Sequence, residues 1–333
     1  MTAAALRRSL ATAAKSRSLP PRGKLAAYDE ALQIIAEDSA IHRARADELR
    51  KRLDSTSDPD ARLLRELERE EALSELHDPE VRLRFRQGQA DYSRAAFRRL
   101  RDESWRTNGD LARLMQRLDT MGVVPDLVGS FEPELELVVS ARGMQHEAGG
   151  GHIPGDKIPP ENTLQPPRID AFVQHRDTRL YTLALVDLDY PDEARDAFQQ
   201  YCHWLMTDLP LSPTSMNVEA ATASARVAIP YQPPHPQRGT KPHRLVIALL
   251  RQSGPLSAAA PTQRTRFDVR SLIRAHSLDP VGLHFFRSEW SPAVSGIYAE
   301  LGQAEPHYRH PQDVAIDPYR VHGGQMRSPF FQA

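Results

Sequence analysis

Sulfur chemistry is almost missing from this chain of 333 residues, which holds one cysteine, Cys202. That excludes an internal disulfide framework and is typical of a reducing compartment. Cys202 precedes His203, which raises a thiol–imidazole nucleophile. Neighbours on a strand point to opposite faces, however, and no glycine signature surrounds the pair, so a partly buried free thiol is the plainer reading. No apolar run approaches the ~18 residues of a membrane-crossing helix. Gly-rich phosphate loops, nucleophile elbows and zinc signatures are absent as well. His307, His310 and Asp313 could ligate a metal on paper, but sparse loop sets of this kind usually face solvent. His203 and His243 lack a nucleophile with an orienting partner. The chain is therefore expected to be neither an enzyme nor the holder of a cofactor, metal or obligate small molecule.

Acidic residues are missing from residues 1–28, which carry six basic ones (Arg7, Arg8, Lys15, Arg17, Arg22 and Lys24). Leu6, Leu10 and Ala13 share one helical face with Arg8 and Lys15 opposite, the pattern of a mitochondrial presequence. A disordered basic arm has the same composition and remains the alternative. A presequence implies the mitochondrial matrix.

Residues 29–120 read as a charged helical extension. Ala31, Ile34, Ile35, Ile41, Leu49 and Leu53 form one loose apolar stripe, and Leu63, Leu64, Leu67, Leu73 and Leu76 form another. Leu111, Leu114, Met115, Leu118 and Met121 follow helical spacing most closely, after a start signal at Asn108-Gly109-Asp110. Helices with such narrow apolar faces are expected to need a partner and to order on assembly. Ten arginines (Arg82, Arg84, Arg86, Arg94, Arg98, Arg99, Arg101, Arg106, Arg113 and Arg117) meet only four acids in this stretch, interleaved with Tyr92, Phe97 and Trp105. Arginine chelates phosphate and stacks on bases, so RNA is the indicated partner. A solvated helix face with internal ion pairs is the alternative.

From Met121 the texture changes, and residues 121–303 read as a second unit followed by a tail, 304–333. Leu135, Leu137 and Val139 alternate as a strand, and Gly149 to Pro167 is a Gly/Pro-rich loop. The apolar run Leu180–Val186 reads as a buried strand closed by Asp187-Leu188-Asp189-Tyr190-Pro191. A polar helix or loop is expected over 191–201, strands over 203–208, 227–231 and 244–250, and helices over 267–276 and 292–303. Strands joined by long loops without βαβ alternation indicate an antiparallel sandwich with peripheral helices.

Asp187-x-Asp189-x-Pro191 at a strand end, then His203-Trp204, then the span from Tyr231 to His243-Arg244, resembles the phosphatidylethanolamine-binding protein family. Gly122-Val123-Val124-Pro125-Asp126 and Gly282-Leu283-His284-Phe285-Phe286 stand where that family has its opening and closing motifs. The resemblance covers roughly 121–303. It implies a mainly β, two-sheet antiparallel sandwich with an anion-accepting pocket formed here by Asp187, Asp189, Pro191, His203 and His243. Imidazoles held by carboxylates can donate to phosphate oxygens; the alternative is that the aspartates cap turns and the histidines satisfy each other. Two departures count against a working pocket. Pro233-Pro234-His235-Pro236 replaces a Gly-rich rim whose N–H groups cradle the anion, and Leu245 replaces an aromatic hydroxyl. Each lost donor weakens such a site by about 1–3 kcal/mol. Taken with the presequence and the extension, the resemblance implies a structural constituent of the mitochondrial large ribosomal subunit, with rRNA and neighbouring ribosomal proteins as partners. The alternative is a mitochondrial ligand-binding or inhibitory member that recognises a phosphorylated ligand.

Overall fold

The computed structural model describes residues 19–55, 60–129, 131–142, 151–256 and 260–308, and the backbone of 321–322 and 325–326. Leu6, Leu10 and Ala13, with the basic residues around them, lie outside the described residues, as do His310 and Asp313.

Among the described residues, the part before the first strand holds five helices of eight or more residues: α1 (Ala26–Asp54), α2 (Ala61–Leu76), α3 (Pro79–Arg86), α4 (Ala95–Thr107) and α5 (Asp110–Thr120). Their ends follow from local chemistry. Asp60 accepts from Arg62 N at 3.0 Å and Asp78 from Glu80 N at 2.8 Å, each satisfying a donor that the first helical turn leaves open. Gly109 turns the chain from α4 into α5 with φ 88°, a left-handed conformation that only glycine adopts at no steric cost.

These helices are not without a core. Ala46 and Leu49 of α1 bury against Leu67 of α2, with Leu53 and Leu63 beside them. Leu76, Val81, Ala96, Phe97 and Leu100 form a second cluster around the ends of α2, α3 and α4. The expectation that the stretch cannot pack alone is thereby corrected, because the apolar stripes are narrow individually but face each other across helix pairs.

The main sheet is antiparallel with order β5-β4-β3-β6-β7. Its strands are β3 (Arg179–Asp192), β4 (Ala197–Leu211), β5 (Arg226–Ile229), β6 (His243–Arg251) and β7 (Asp279–Ser288). A second, two-stranded antiparallel sheet pairs β1 (Glu136–Ser140) with β2 (Arg168–Phe172). Between the sheets lie Leu137, Val139 and Ile169 against Leu183, Leu185, Trp204, Met206, Leu245, Ile247 and Leu249. That gives the sandwich the sequence implied. Gly282 permits the close approach of β7 to the smaller sheet, since a Cβ there would lie 2.8 Å from Leu135 Cδ1.

The opposite face of the main sheet is covered by helices. Ala184, Val186, Cys202, Leu205, Val246, Ala248 and Phe285 meet Trp105 of α4, Leu114 and Leu118 of α5, and Val269 and Leu272 of a later helix, α6 (Val269–His276). So the partner that α5 requires is the sheet itself. A last helix, α7 (Pro292–Glu300), brings Tyr298 to the sheet edge beside His235.

One local reading is corrected. Residues 191–201 are a β-hairpin, in which the strand runs on through Pro191 to Asp192, turns over Glu193–Arg195 and returns from Ala197. Its polar sequence reflects a hairpin projecting beyond the core, where both faces meet water; Phe198 is 67% exposed. Arg168–Phe172, to which the sequence reading assigns no element, is a strand with the half-buried alternation of a sheet covering one face.

Candidate functional site

The candidate pocket lies at the edge where β3, β4 and β6 leave the core. Asp187 pairs across the sheet with Leu245 and Tyr201, which places His243, two residues before Leu245, within reach of its carboxylate. His243 Nδ1 donates to Asp187 Oδ2 at 2.6 Å, and Asp187 Oδ1 accepts from Asp189 N at 2.8 Å. On the far side of the ring, His243 Nε2 lies 2.8 Å from Thr240 Oγ1, whose hydroxyl lies 2.8 Å from Gln237 O. Imidazole and carboxylate are both buried. Burial works against a charged His243, but the charge of Asp187 and the hydrogen bond to it outweigh that, and the pKa is raised.

Asp189 points elsewhere. Its carboxylate accepts from Arg244 N, Nε and Nη2 at 2.8, 2.8 and 2.7 Å. The other arm of that guanidinium donates to Met121 O at 2.8 Å, Gly122 O at 3.0 Å and Asp126 Oδ2 at 2.8 Å. Asp189 and Arg244 thus tie the segment after α5 to the sheet edge. Pro191 lies on the hairpin, where its carbonyl accepts from Gln199 Nε2 at 3.1 Å. Of the five pocket residues, the structure bonds Asp187 to His243 and gives Asp189 a tethering contact.

His203 is fully buried and meets neither carboxylate. Its Nδ1–H donates to Gln232 O at 3.1 Å, and its Nε2 finds no partner. Burial, reinforced by His235, holds its pKa well below the ordinary value, so the ring is neutral. The feature that sequence reasoning missed is His235. The proline-rich rim folds inward and inserts this imidazole among Tyr190, Tyr201, His203 and Tyr298, at ring-centroid distances of 5.9, 5.5, 5.2 and 5.2 Å. The ring is 2% exposed, and burial lowers its pKa. His235 therefore stands where an anion would have to approach His203. Around it, His203 Nε2, both polar atoms of Gln237 and the hydroxyl of Tyr298 are buried without hydrogen-bond partners. A histidine between prolines in the rim was the available signal, but nothing local says that it turns inward.

Cys202 is buried, and burial pushes its thiol up to about 12, so no thiolate forms near neutral pH. Among the described residues no group of three or more His, Cys, Asp or Glu could hold a metal. No helix among them is long and apolar enough to cross a membrane.

The ten arginines divide. Arg98 is 3% exposed, pairs with Glu68, and donates to Gln174 O, Tyr92 O and Ser93 O at 3.2, 2.9 and 2.8 Å. A side chain so enclosed cannot touch a phosphate, which corrects its place in the set. Arg101 grips Glu136 of β1 at 2.6 and 2.8 Å and lies 4.2 Å over the ring of Phe172, so it fastens α4 to the smaller sheet. Arg117 donates to Pro154 O at 2.6 Å. Arg84, Arg94, Arg106 and Arg113 pair with Glu80, Glu75, Asp102 and Asp110. Arg82, Arg86 and Arg99 are exposed and form no ion pair among the described residues. The aromatics are likewise engaged: Phe97 and Trp105 are buried, and Tyr92 packs edge-on against Phe172 at 5.3 Å.

All but the last two residues of the main sheet, with the strand-edge cluster of Asp187, His203 and His243, fall within residues 146–286, which match the model of the family "Phosphatidylethanolamine-binding protein". The chain as a whole is similar to the large ribosomal subunit protein mL38 of Schizosaccharomyces pombe, with 29% identity over 293 residues, 86% of this chain and 90% of that protein. It is also similar to Protein FLOWERING LOCUS T of Arabidopsis thaliana, with 28% identity over 176 residues, 52% of this chain and 91% of that one. Among solved structures, the phosphatidylethanolamine-binding protein from Plasmodium vivax aligns with 17% identity and a TM-score of 0.40, over 53% of this chain and 97% of that one.

Proposed function

We propose that the protein is a structural, non-catalytic constituent of the mitochondrial large ribosomal subunit, working in the matrix. The observation that carries this reading is the extent of the similarity to the yeast ribosomal protein. It spans 86% of the chain, whereas the similarity to FLOWERING LOCUS T stops at 52%, about the length of the sandwich with its flanks. A likeness that includes the helical arm is a likeness of the whole architecture. The site supports it, because a pocket filled by its own rim loop leaves the sandwich as a rigid block.

On this reading the exposed arginines meet rRNA and the helices meet neighbouring ribosomal proteins. Arg82 and Arg86 stand one turn apart on α3 and line a groove of 440 Å³ with Phe85 and Thr107. Exposed guanidinium groups that are not held in an ion pair among the described residues suit a phosphate backbone, and Glu103, which also lines the groove, sets a side that the phosphates would avoid. The test is sedimentation of the tagged full chain from mitochondrial lysate. Co-migration with the large subunit through moderate salt is the expected result, and free protein at the top of the gradient would sink the proposal.

The second reading, a protein that recognises a phosphorylated ligand, is favoured by the unpartnered atoms around His235. It requires the rim loop to swing out. A phosphorylated compound that raises Tm in the wild type but not in His243→Ala would establish it, and no shift with any of them would remove it.

A further inference from the structure

The first half of α1 projects past the helix it pairs with. The pairing with α2 ends near Ser39, whose hydroxyl donates to Ser74 O at 2.5 Å, close to the last turn of α2. From Ala26 to Asp38 no residue is buried, and among the described residues α2 is the one element with extensive contact to α1. This free segment is about 20 Å long at 1.5 Å per residue. The packed half of the 29-residue α1 meets the cost of helix nucleation, so the projecting half is held helical with its surface open to a partner.

Its surface says by what. Ile34 and Ile41 are 62% and 53% exposed, and their seven-residue spacing, continued back to Ala27, puts them on one stripe. Successive residues turn by about 100°, so this stripe lies roughly a quarter-turn from the face that meets α2 through Ser39, Ala46 and Leu49. Charge is one-sided. Residues 26–38 contain Asp29, Glu30, Glu37 and Asp38 and no Lys, Arg or His. Glu30 and Glu37 flank the stripe on one side and Asp38 on the other. Three negative charges around an apolar seam repel a phosphate backbone. They complement a protein groove with an apolar floor and a Lys/Arg rim, the helix-in-groove mode of recognition.

We infer that the Ala26–Ile41 segment of α1 is a protein-docking arm, which seats its Ala27–Ile34–Ile41 stripe in a basic-rimmed apolar groove of a partner polypeptide, while RNA contact is left to the arginines of α3 and α4. The inference holds whichever assembly the chain joins. A polypeptide partner found outside any ribosomal particle would defeat the proposed function and leave this arm standing.

The test places a photoreactive benzoylphenylalanine at position 34 of the full chain, irradiates cells, and digests the adducts with nuclease or protease before peptide sequencing. The expected adduct resists nuclease and maps to a segment of another polypeptide with apolar residues flanked by at least two Lys or Arg. Its yield should fall at least tenfold when Ile41→Glu is added and severalfold with Glu30→Lys/Glu37→Lys. The Ile41→Glu variant should keep the parent Tm, since that side chain is exposed in the fold. An adduct carrying RNA, an adduct to residues 1–18 of the same chain, an acidic partner segment, or no adduct would each overturn the inference.

Discussion

The imidazole of His235 stands edge-on to that of His203, with ring centroids 5.2 Å apart and planes at 78°. One ring comes from the strand that would floor an anion pocket, and the other from the loop that would form its rim. Filling the site this way exchanges a ligand for a side chain.

Truncating the plug should therefore cost stability and open space. His235→Gly removes a buried ring with aromatic contacts on four sides, and by analogy with large-to-small core substitutions the expected loss is about 3 kcal/mol. Millimolar imidazole should then raise the Tm of the variant but not of the wild type, because the space matches the lost ring. A Tm indifferent to imidazole would mean that the neighbouring rings close over the gap.

The buried pair of Asp187 and His243 makes a prediction of opposite sign from the other histidines. His243 has a raised pKa in the folded protein, so its contribution is fully present below the unfolded value of about 6.5 and is lost as pH rises through the folded value. Asp187→Asn should drop the His243 pKa below normal, since burial is then unopposed, and should cost about 3–5 kcal/mol at pH 6. Imidazole NMR titration reads the first effect and urea denaturation the second. A His243 that still titrates above the ordinary value in the variant would show that Asp187 does not hold it.

His284 is lowered to about 4 by burial, with Nε2–H donating to His152 O at 3.0 Å. The unfolded chain then takes up a proton near pH 6.5 that the folded chain refuses until pH 4. Stability should fall across that window by on the order of 3 kcal/mol from this group, and His203 and His235 add to it in the same direction. His284→Gln should flatten the slope between pH 6.5 and 4.5. An unchanged slope would assign the acid sensitivity to other groups.

The arginines should separate by burial. Arg98→Ala removes one partner of an enclosed ion pair and three carbonyl contacts, and about 3–5 kcal/mol of stability should go with it. Arg82→Gln/Arg86→Gln should change stability by no more than about 0.5 kcal/mol per site. The double variant should nonetheless leave the large subunit at lower salt, with the salt slope of binding reduced by about 2 × 0.7–0.9. Equal retention of variant and wild type would remove these two residues from the interface.

Much of this protein is written in local pattern. The buried strand core over Leu180–Val186, the helix over Asp110–Thr120 and the sandwich core could be read from periodicity, because burial imposes the period of each element on its sequence. The Asp187–His243 pairing was visible as an association of residue types at strand ends. Three things were not legible. The hairpin at 191–201 looked like a helix or loop, since a strand with both faces in water loses its alternation. The arginine-rich stretch looked uniform, yet Arg98 and Arg101 are enclosed while Arg82 and Arg99 are free, a division set by which carboxylates and carbonyls other segments bring to them. The direction of His235 depends on four rings from β3, β4 and α7, residues 32–63 positions away along the chain. By itself the sequence determined the sandwich, the charged helical arm and the acids and imidazoles at one edge, because hydrophobic periodicity and side-chain chemistry are local. Only the tertiary structure decided that His235 turns inward onto His203 and that the first half of α1 buries none of its residues among the described ones, because both depend on what lies across space.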